Sequence, residues 1–317
     1  DPDRVRIYGY GGRRLPDRLS ASTYVDDLPL VQSVRTSRGV VFYAVGPETE
    51  ITASSDGEIR YHALNPYSTK GYYFITDSDV PLRDIPIEGL APRAEESVEV
   101  FTQTLRHERD IFSPVESGHL LLGEDFRFSR SQNFTFQLPG RVEDTDVWMQ
   151  ADLYGKVVSS RATFTFTANG EKLTSASGDY ISPTEEYGDS VRICKVFPLK
   201  GSTLGLGIQA SAPGSVNILA LDNISLCYKR SLSLPASGSL EFSIASGSPV
   251  LSGASGWTNV WDVTDPSNII SVKTTSSGQR LSWTSEYHGR RRYAAWNENA
   301  SLPAPAYEGR VANQDLH

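Results

Sequence analysis

Apolar and polar residues alternate with a period of two along most of this chain. Short runs rich in β-branched and aromatic residues are divided by Gly, Pro, Ser, Asn and Asp at intervals of about ten residues. That rhythm predicts strands. The clearest are residues 38–45 (RGVVFYAV), 71–76 (GYYFIT), 133–138 (NFTFQL), 162–168 (ATFTFTA) and 216–221 (VNILAL). Within 162–168, Phe164 and Phe166 alternate with Thr163, Thr165 and Thr167, so one face is apolar and the other polar, as in a strand packed on one side. Helical periodicity is scarce. The best helix candidate is 94–106, opened by Glu95 and Glu96, but Val98 and Val100 inside it alternate like a strand.

Composition shifts along the chain suggest its organisation. Tyr and Arg are dense over 1–105, alternating strands fill 106–230, and from 231 the chain turns rich in Ser and Gly. The Ser/Gly tract reads as strands with small-residue turns, not as a flexible linker, because Leu240, Phe242 and Ile244 alternate within it. Residues 300–307 (ASLPAPAY) look like an extended connector. The expected fold is therefore all-β and multi-domain, including a jelly-roll or Ig-like β-sandwich. Its expected units are an N-terminal β-rich domain (1–105), a sandwich (106–230), a third β domain (231–306) and a connector (307–317). A length of 317 residues agrees with two or three domains. The chain begins at Asp1 without Met or leader and stops at His317, as a trimmed piece of a longer protein would.

Charge narrows the partners. The formal net charge is −8 and the pI about 5.2, which opposes a broad phosphate-binding surface and hence nucleic acid. No apolar run approaches the roughly 18 residues that a membrane helix needs.

Candidate chemistry is sparse. A cysteine peptidase needs a thiolate and an imidazole together, so Cys194, Cys227 and the histidines at 62, 107, 119, 288 and 317 are the residues to weigh. Both cysteines lie in strand-like runs (VRICKVF and ISLCYKR) without a Gly-rich turn or neighbouring His, which suits core or paired cysteines better than nucleophiles. A cross-strand disulfide between them is feasible if geometry allows. The run His107, Glu108, Asp110 lacks the second His of a zinc motif, position 111 being Ile. The acidic pairs Asp77/Asp79, Asp144/Asp146 and Asp262/Asp265 suit turns better than calcium loops. Trp257, Trp261, Trp283 and Trp296 suit a buried core better than a sugar-stacking platform. Arg290, Arg291 and Arg292 fit either an exposed hairpin turn or a contact to an acidic partner, and Asn133, Asn223 and Asn299 satisfy the Asn-x-Ser/Thr rule. No residue emerges as catalytic, cofactor-binding or metal-binding.

Several segments, in order, resemble the PorU family, gingipain-related cysteine peptidases that serve as sortases of the Bacteroidetes type IX secretion system. They are IYGYGGRRLP (7–16), DDLP (26–29), VVFYAVGP (40–47), HALNPYSTKGYYFIT (62–76), HERDIFSPVESGHLLLGEDF (107–126), LDNISL (221–226), VWDVTDPSNI (260–269) and VANQDLH (311–317). The family pattern around SGHLLLGE usually carries Arg and Trp, where this chain has His119 and Leu121 or Leu122. VWDVTDP looks like the strand motif before the peptidase domain, and ANQDLH like that domain's first residues. The resemblance implies a non-catalytic N-terminal scaffold, with the catalytic His and Cys lying downstream. It also implies export to the cell surface, association with the outer membrane, and protein partners: the downstream peptidase domain, the outer-membrane protein PorV and cargo C-terminal domains. Lipopolysaccharide, the implied acceptor of processed cargo, is a further expected partner, and no cofactor is implied. The alternative is a carbohydrate-binding β-sandwich of a surface glycan-uptake system. An exposed coplanar row of aromatics would favour it and buried Trp would remove it.

Overall fold

A computed structural model of the chain describes residues 2–14, 18, 20, 27–52, 60–65, 67–90, 96–114, 120–213, 215–285 and 289–312. Strands dominate them, and the only helical element among them is a single 3-10 turn, Pro2–Arg4. The helix candidate 94–106 resolves into strands Ser97–Val98 and Val100–Glu108. Its period-two alternation prevails because Phe101 buries its ring in one core while Leu105 packs against another.

The middle of the chain is a jelly roll. One four-stranded antiparallel sheet runs in the order Ser131–Gln137, Thr203–Ser211, Thr163–Ala168, Glu171–Ser177. The facing sheet runs Asp189–Pro198, Asp146–Val158, Ser215–Ser231, Val100–Glu108. Eight strands that pair in this interleaved order make the double-sheet jelly roll, not the Ig sandwich. Phe164, Phe166, Leu204, Leu206 and Ile208 from one sheet meet Val147, Met149 and Leu226 from the other, all essentially without exposure. Most of these alternate with a polar residue or, as at Leu206, with glycine, which is why the sequence pattern announced the sheet. The hairpin after Thr163–Ala168 turns on Asn169 and Gly170, at φ 49° and 88°, the left-handed pair that a two-residue turn of this hand requires.

The Ser/Gly-rich tract is folded. Strands Ser239–Ile244 and Ser248–Ser252 join two further sheets. One has the order Ser239–Ile244, Arg291–Asn297, Thr258–Asp262, Ile270–Val272, Ile87–Glu88. The other has the order Thr275–Ser277, Arg280–Ser282, Ser248–Ser252, Ser97–Val98. Their core holds Phe242, Trp283 and Tyr293 with ring centroids 5.4 to 6.1 Å apart, and Phe101 of the jelly roll reaches in to 5.7 Å from Phe242. Ile87–Glu88 and Ser97–Val98 enter these sheets as parallel edge strands, so segments distant in sequence complete them.

The VWDVTDP run behaves as a packed strand and turn. Val260 faces the Phe242 core, while Trp261 and Val263 face a second cluster with Ile85, Ile269 and Trp296. Asp262 then accepts a hydrogen bond from Thr264 N and Asp265 one from Ser267 N, closing the turn. Val34, Val41 and Tyr43 of the N-terminal segment pack on this second cluster. Gln32, buried beside it, donates to Asp84 O (3.0 Å) and Ile269 O (3.1 Å). A buried amide satisfied from both segments joins them with a directional contact.

Candidate functional site

Three parts of the chain meet around a cleft of about 460 Å3, a size suited to a ligand or a side-chain cluster of a partner. Its walls are residues 43–48, 101–104 and 241–243, with Pro266 and Arg292. Backbone crossings that only glycine permits hold the first wall in place. Gly12 N donates to Val45 O (2.8 Å), Val45 N donates to the Tyr73 hydroxyl (2.7 Å), and a Cβ at Gly71 would lie 2.6 Å from Gly12 N. The glycines of IYGYGGRRLP and of NPYSTKGYYFIT therefore serve one crossing point.

At the mouth, the Tyr43 hydroxyl donates to Glu241 Oε1 (2.9 Å) and accepts from Arg292 Nη2 (3.0 Å), while Arg292 also pairs with Glu241. Burial, reinforced by the Glu241 carboxylate, pushes the phenol well above its ordinary pKa, so it remains a neutral donor. Three residues from separate segments are thus tied by charge-assisted hydrogen bonds. Sequence reasoning overlooked Tyr43 and Glu241. Their only sequence signal was a Tyr in a strand and a Glu in a Ser-rich tract.

A second polar cluster lies on the outer face of the jelly roll. Pairing across the sheet sets Glu108, Asn223, Asp152 and Arg192 in one row. A β-bulge leaves Asp222 without an opposite partner and turns its carboxylate into the same row. Burial, opposed by Arg106, raises Glu108 to about 7; burial and the neighbouring Asp152 raise Asp222 to about 6. Arg192 donates to Asp152 (2.6 Å), and Asn223 donates to Asp152 (3.3 Å) and Asp222 (3.2 Å). Arg106 also pairs with Glu108, while Arg106 Nε and Glu108 Oε2 are buried without a hydrogen-bond partner. No group of three or more His, Cys, Asp or Glu among the described residues is arranged to hold a metal ion.

The residues weighed from sequence are scattered. Cys194 is exposed, Cys227 is buried, and neither forms a disulfide. They lie in the same sheet on either side of Asp146–Val158, Cys194 opposite Gln150 and Cys227 opposite Trp148. Two interstrand steps of about 4.8 Å exceed the roughly 7 Å that a disulfide spans between Cα atoms, so the feasible bridge is ruled out by the intervening strand. Burial raises the Cys194 thiol's pKa, the opposite of activation. His107 Nε2 lies 2.9 Å from Glu124 Oε1 and 4.9 Å, ring to ring, from Phe134. His119, His288, His317 and the side chain of His62 lie outside the described residues.

Asp77 and Asp79 both pair with Arg4, and Asp144 sits in a turn at φ 56°. Arg291 approaches Asp262 (3.7 Å) and Arg292 reaches Glu241, so two of the three arginines turn inward at the start of a strand. Asn133 and Asn299 are exposed, whereas Asn223 is buried. Trp261, Trp283 and Trp296 are buried and Trp257 is exposed alone, so no aromatic row exists for stacking sugars among them.

No family model matches the chain, and no curated protein matches it. Among solved structures, dimeric latent PorU from Porphyromonas gingivalis superposes with a TM-score of 0.85 over 99% of this chain, at 24% identity. The chain has a PorU-like fold. It spans 31% of the length of that PorU chain. A family 35 carbohydrate-binding module from Clostridium thermocellum (TM-score 0.23, 12% identity, 40% of this chain and 90% of the module) and an insecticidal delta-endotoxin from Bacillus thuringiensis (0.28, 10%, 71% and 42%) also align. At those scores neither bears on fold or function. The PorU-like fold and the buried tryptophans together disfavour the carbohydrate-binding alternative.

Proposed function

We propose that this chain is the leading, non-catalytic scaffold and docking region of a longer gingipain-like cysteine peptidase. That enzyme acts as a sortase at the bacterial cell surface, removing sorting domains from type IX secretion cargo and attaching the product to lipopolysaccharide. In this reading residues 1–105, 106–230 and 231–306 mark three β units, with Ile87–Glu88 and Ser97–Val98 lent to the sheets of the third and Val100–Glu108 to the jelly roll, and 307–317 leads into the peptidase. Its partners are that peptidase domain, PorV and cargo C-terminal domains. The observation that carries the reading is a PorU-like fold over 99% of the chain, combined with sequence motifs in the same order.

The chemistry is consistent with a supporting role. Amide chemistry needs a nucleophile, a base and oxyanion donors held together. Here Cys227 is buried against Thr104 (3.4 Å), and Cys194 sits on an edge strand with its pKa raised. What the fold supplies in quantity is interlocked contact between units, as a positioning body needs. The test incubates purified residues 1–317, and separately the full-length protein, with cargo carrying its sorting domain in reducing buffer. Cleavage by the full-length protein alone is expected. Cleavage by residues 1–317 that is lost in Cys194→Ala or Cys227→Ala would overturn the scaffold reading.

A further inference from the structure

The first wall of the cleft is an extended segment that lies between two paired stretches and has one open backbone edge. Phe42 ends the ladder opposite Ser33. Pairing resumes at Pro47, whose carbonyl accepts from Asn65 N (2.8 Å), and at Glu48, opposite Leu64. In the gap, Val45 directs both of its backbone groups to one side: its N–H donates to the Tyr73 hydroxyl (2.7 Å) and its carbonyl accepts from Gly12 N (2.8 Å). Because peptide units are planar and trans, the carbonyl preceding Val45 N and the N–H following the Val45 carbonyl point the opposite way. These are Ala44 O and Gly46 N, and neither has a hydrogen-bond partner among the described residues. Both residues are exposed, and a Cβ at Gly46 would meet nothing within 4 Å. Pro47, without an N–H, closes the open edge.

The other walls are terminal strands. Val100–Glu108 is the last strand of one jelly-roll sheet and Ser239–Ile244 the first of the five-stranded sheet, and each lines the cleft. No ladder joins them to residues 43–46. Side chains bridge the mouth, where the Tyr43 hydroxyl meets Glu241 and Arg292. Directly paired strands stand about 4.8 Å apart and leave no cavity between them, whereas here about 460 Å3 stands open. An exposed acceptor and donor on one extended edge are a template for a further strand.

We propose that this cleft docks an extended peptide segment of another protein by strand addition, its backbone pairing with Ala44 O and Gly46 N. Main-chain hydrogen bonds hold such a strand, and the walls choose its side chains. Phe101, Thr102, Thr104 and Ser243 offer a ring and hydroxyls, and Glu241 and Arg292 at the mouth already pair with each other. Small uncharged side chains suit those walls, because a charge placed there would lose water without gaining an opposite partner. Docking needs only the cleft and is independent of the sortase reading.

The test is fluorescence polarisation on the full-length protein with a short fluorescein-labelled peptide of alternating threonine and valine, kept soluble by a polyethylene glycol tail. The comparison peptide is N-methylated at alternate residues, which keeps its side chains and removes backbone donors. Saturable binding of the first peptide is expected, with affinity at least roughly tenfold weaker for the N-methylated one. Losing one main-chain hydrogen bond corresponds to about fivefold, so Gly46→Pro should weaken binding by at least that factor, whereas Gly46→Ala, which keeps the N–H, should stay within about twofold. Far-ultraviolet circular dichroism and melting temperature establish that each variant is folded, and the N-methylated peptide decides the matter alone if Gly46→Pro is not. A benzophenone at the centre of the peptide should capture residues 43–48, 101–104 or 241–243. Absence of binding, equal binding of the N-methylated peptide, unchanged binding by folded Gly46→Pro, or capture at the other terminal strand Asp189–Pro198 would overturn the proposal.

Discussion

Trp261 provides the sharpest test of how the segments are held together. Its side chain is 3% exposed, lies 5.0 Å edge-on to Trp296, and packs among Ile85, Val263 and Ile269 where the N-terminal segment meets the third unit. Truncating a buried Trp to Ala removes its transfer free energy and leaves a cavity, together costing about 3 to 5 kcal/mol. The lost edge-to-face pair accounts for roughly 0.5 to 1.5 kcal/mol of an effect of that kind. For a cooperative unit of about 150 to 250 residues, this corresponds to a fall in melting temperature of roughly 6 to 20 °C. Trp257→Ala is the matched control, because at 59% exposure the same chemical change should stay within about 0.5 kcal/mol. Urea unfolding followed by far-ultraviolet circular dichroism gives both values, with unchanged m showing that the comparison is of stability. A Trp261→Ala midpoint within error of the Trp257→Ala midpoint would refute the packing argument.

Four further outcomes are expected. Tyr43→Phe should cost about 0.5 to 1.5 kcal/mol by urea unfolding, because it removes a donor to the Glu241 carboxylate and one of the two acceptors of Arg292 Nη2, and a neutral result would mean that solvent replaces both bonds. Gly170→Ala should cost about 1 to 2 kcal/mol from left-handed backbone strain alone, since a Cβ there meets nothing within 4 Å; no change in melting temperature would show that the turn relaxes freely. Glu108 has its folded pKa raised to about 7, so the folded state holds a proton that the unfolded state has released from about pH 4.5 upward; stability should fall as pH rises from there through 7, and Glu108→Gln should flatten that decline in urea midpoints at pH 5 and 7.5. Thiol titration without reductant should find two free thiols in denaturant and only Cys194 in the native protein; none in denaturant would mean a disulfide after all.

Much of the fold was legible because strands write their burial into the chain one residue at a time. Phe164 and Phe166, and Leu204, Leu206 and Ile208, declare a one-sided sheet without reference to any partner. The same reasoning rescued the Ser/Gly tract, where Leu240 and Phe242 carry the pattern through a composition that resembles a linker. In 94–106 the acidic opening suggested a helix, and the alternation of Val98 and Val100 was the sounder guide.

Relations between segments had no such signal. Local alternation shows which side of a strand is buried, but not which strand stands beside it. Cys194 and Cys227 looked compatible with a bridge until pairing set Asp146–Val158 between them. The bulge that turns Asp222 toward Asp152 depends on register with another strand, and register is a property of the pair. Tyr43, Glu241 and Arg292 meet because three backbones converge at the cleft, and the exposed segment after Asn297 is contacted by Arg38 and Lys70 from far earlier in the chain. Alternation along the chain says that this protein is built of strands and which side of each is buried, since each strand records its own burial, whereas Trp257, expected in a core, is exposed in a turn that carries no such pattern. The tertiary structure alone decided which polar groups meet and which surface is left open, because those depend on contacts closed across long stretches of chain.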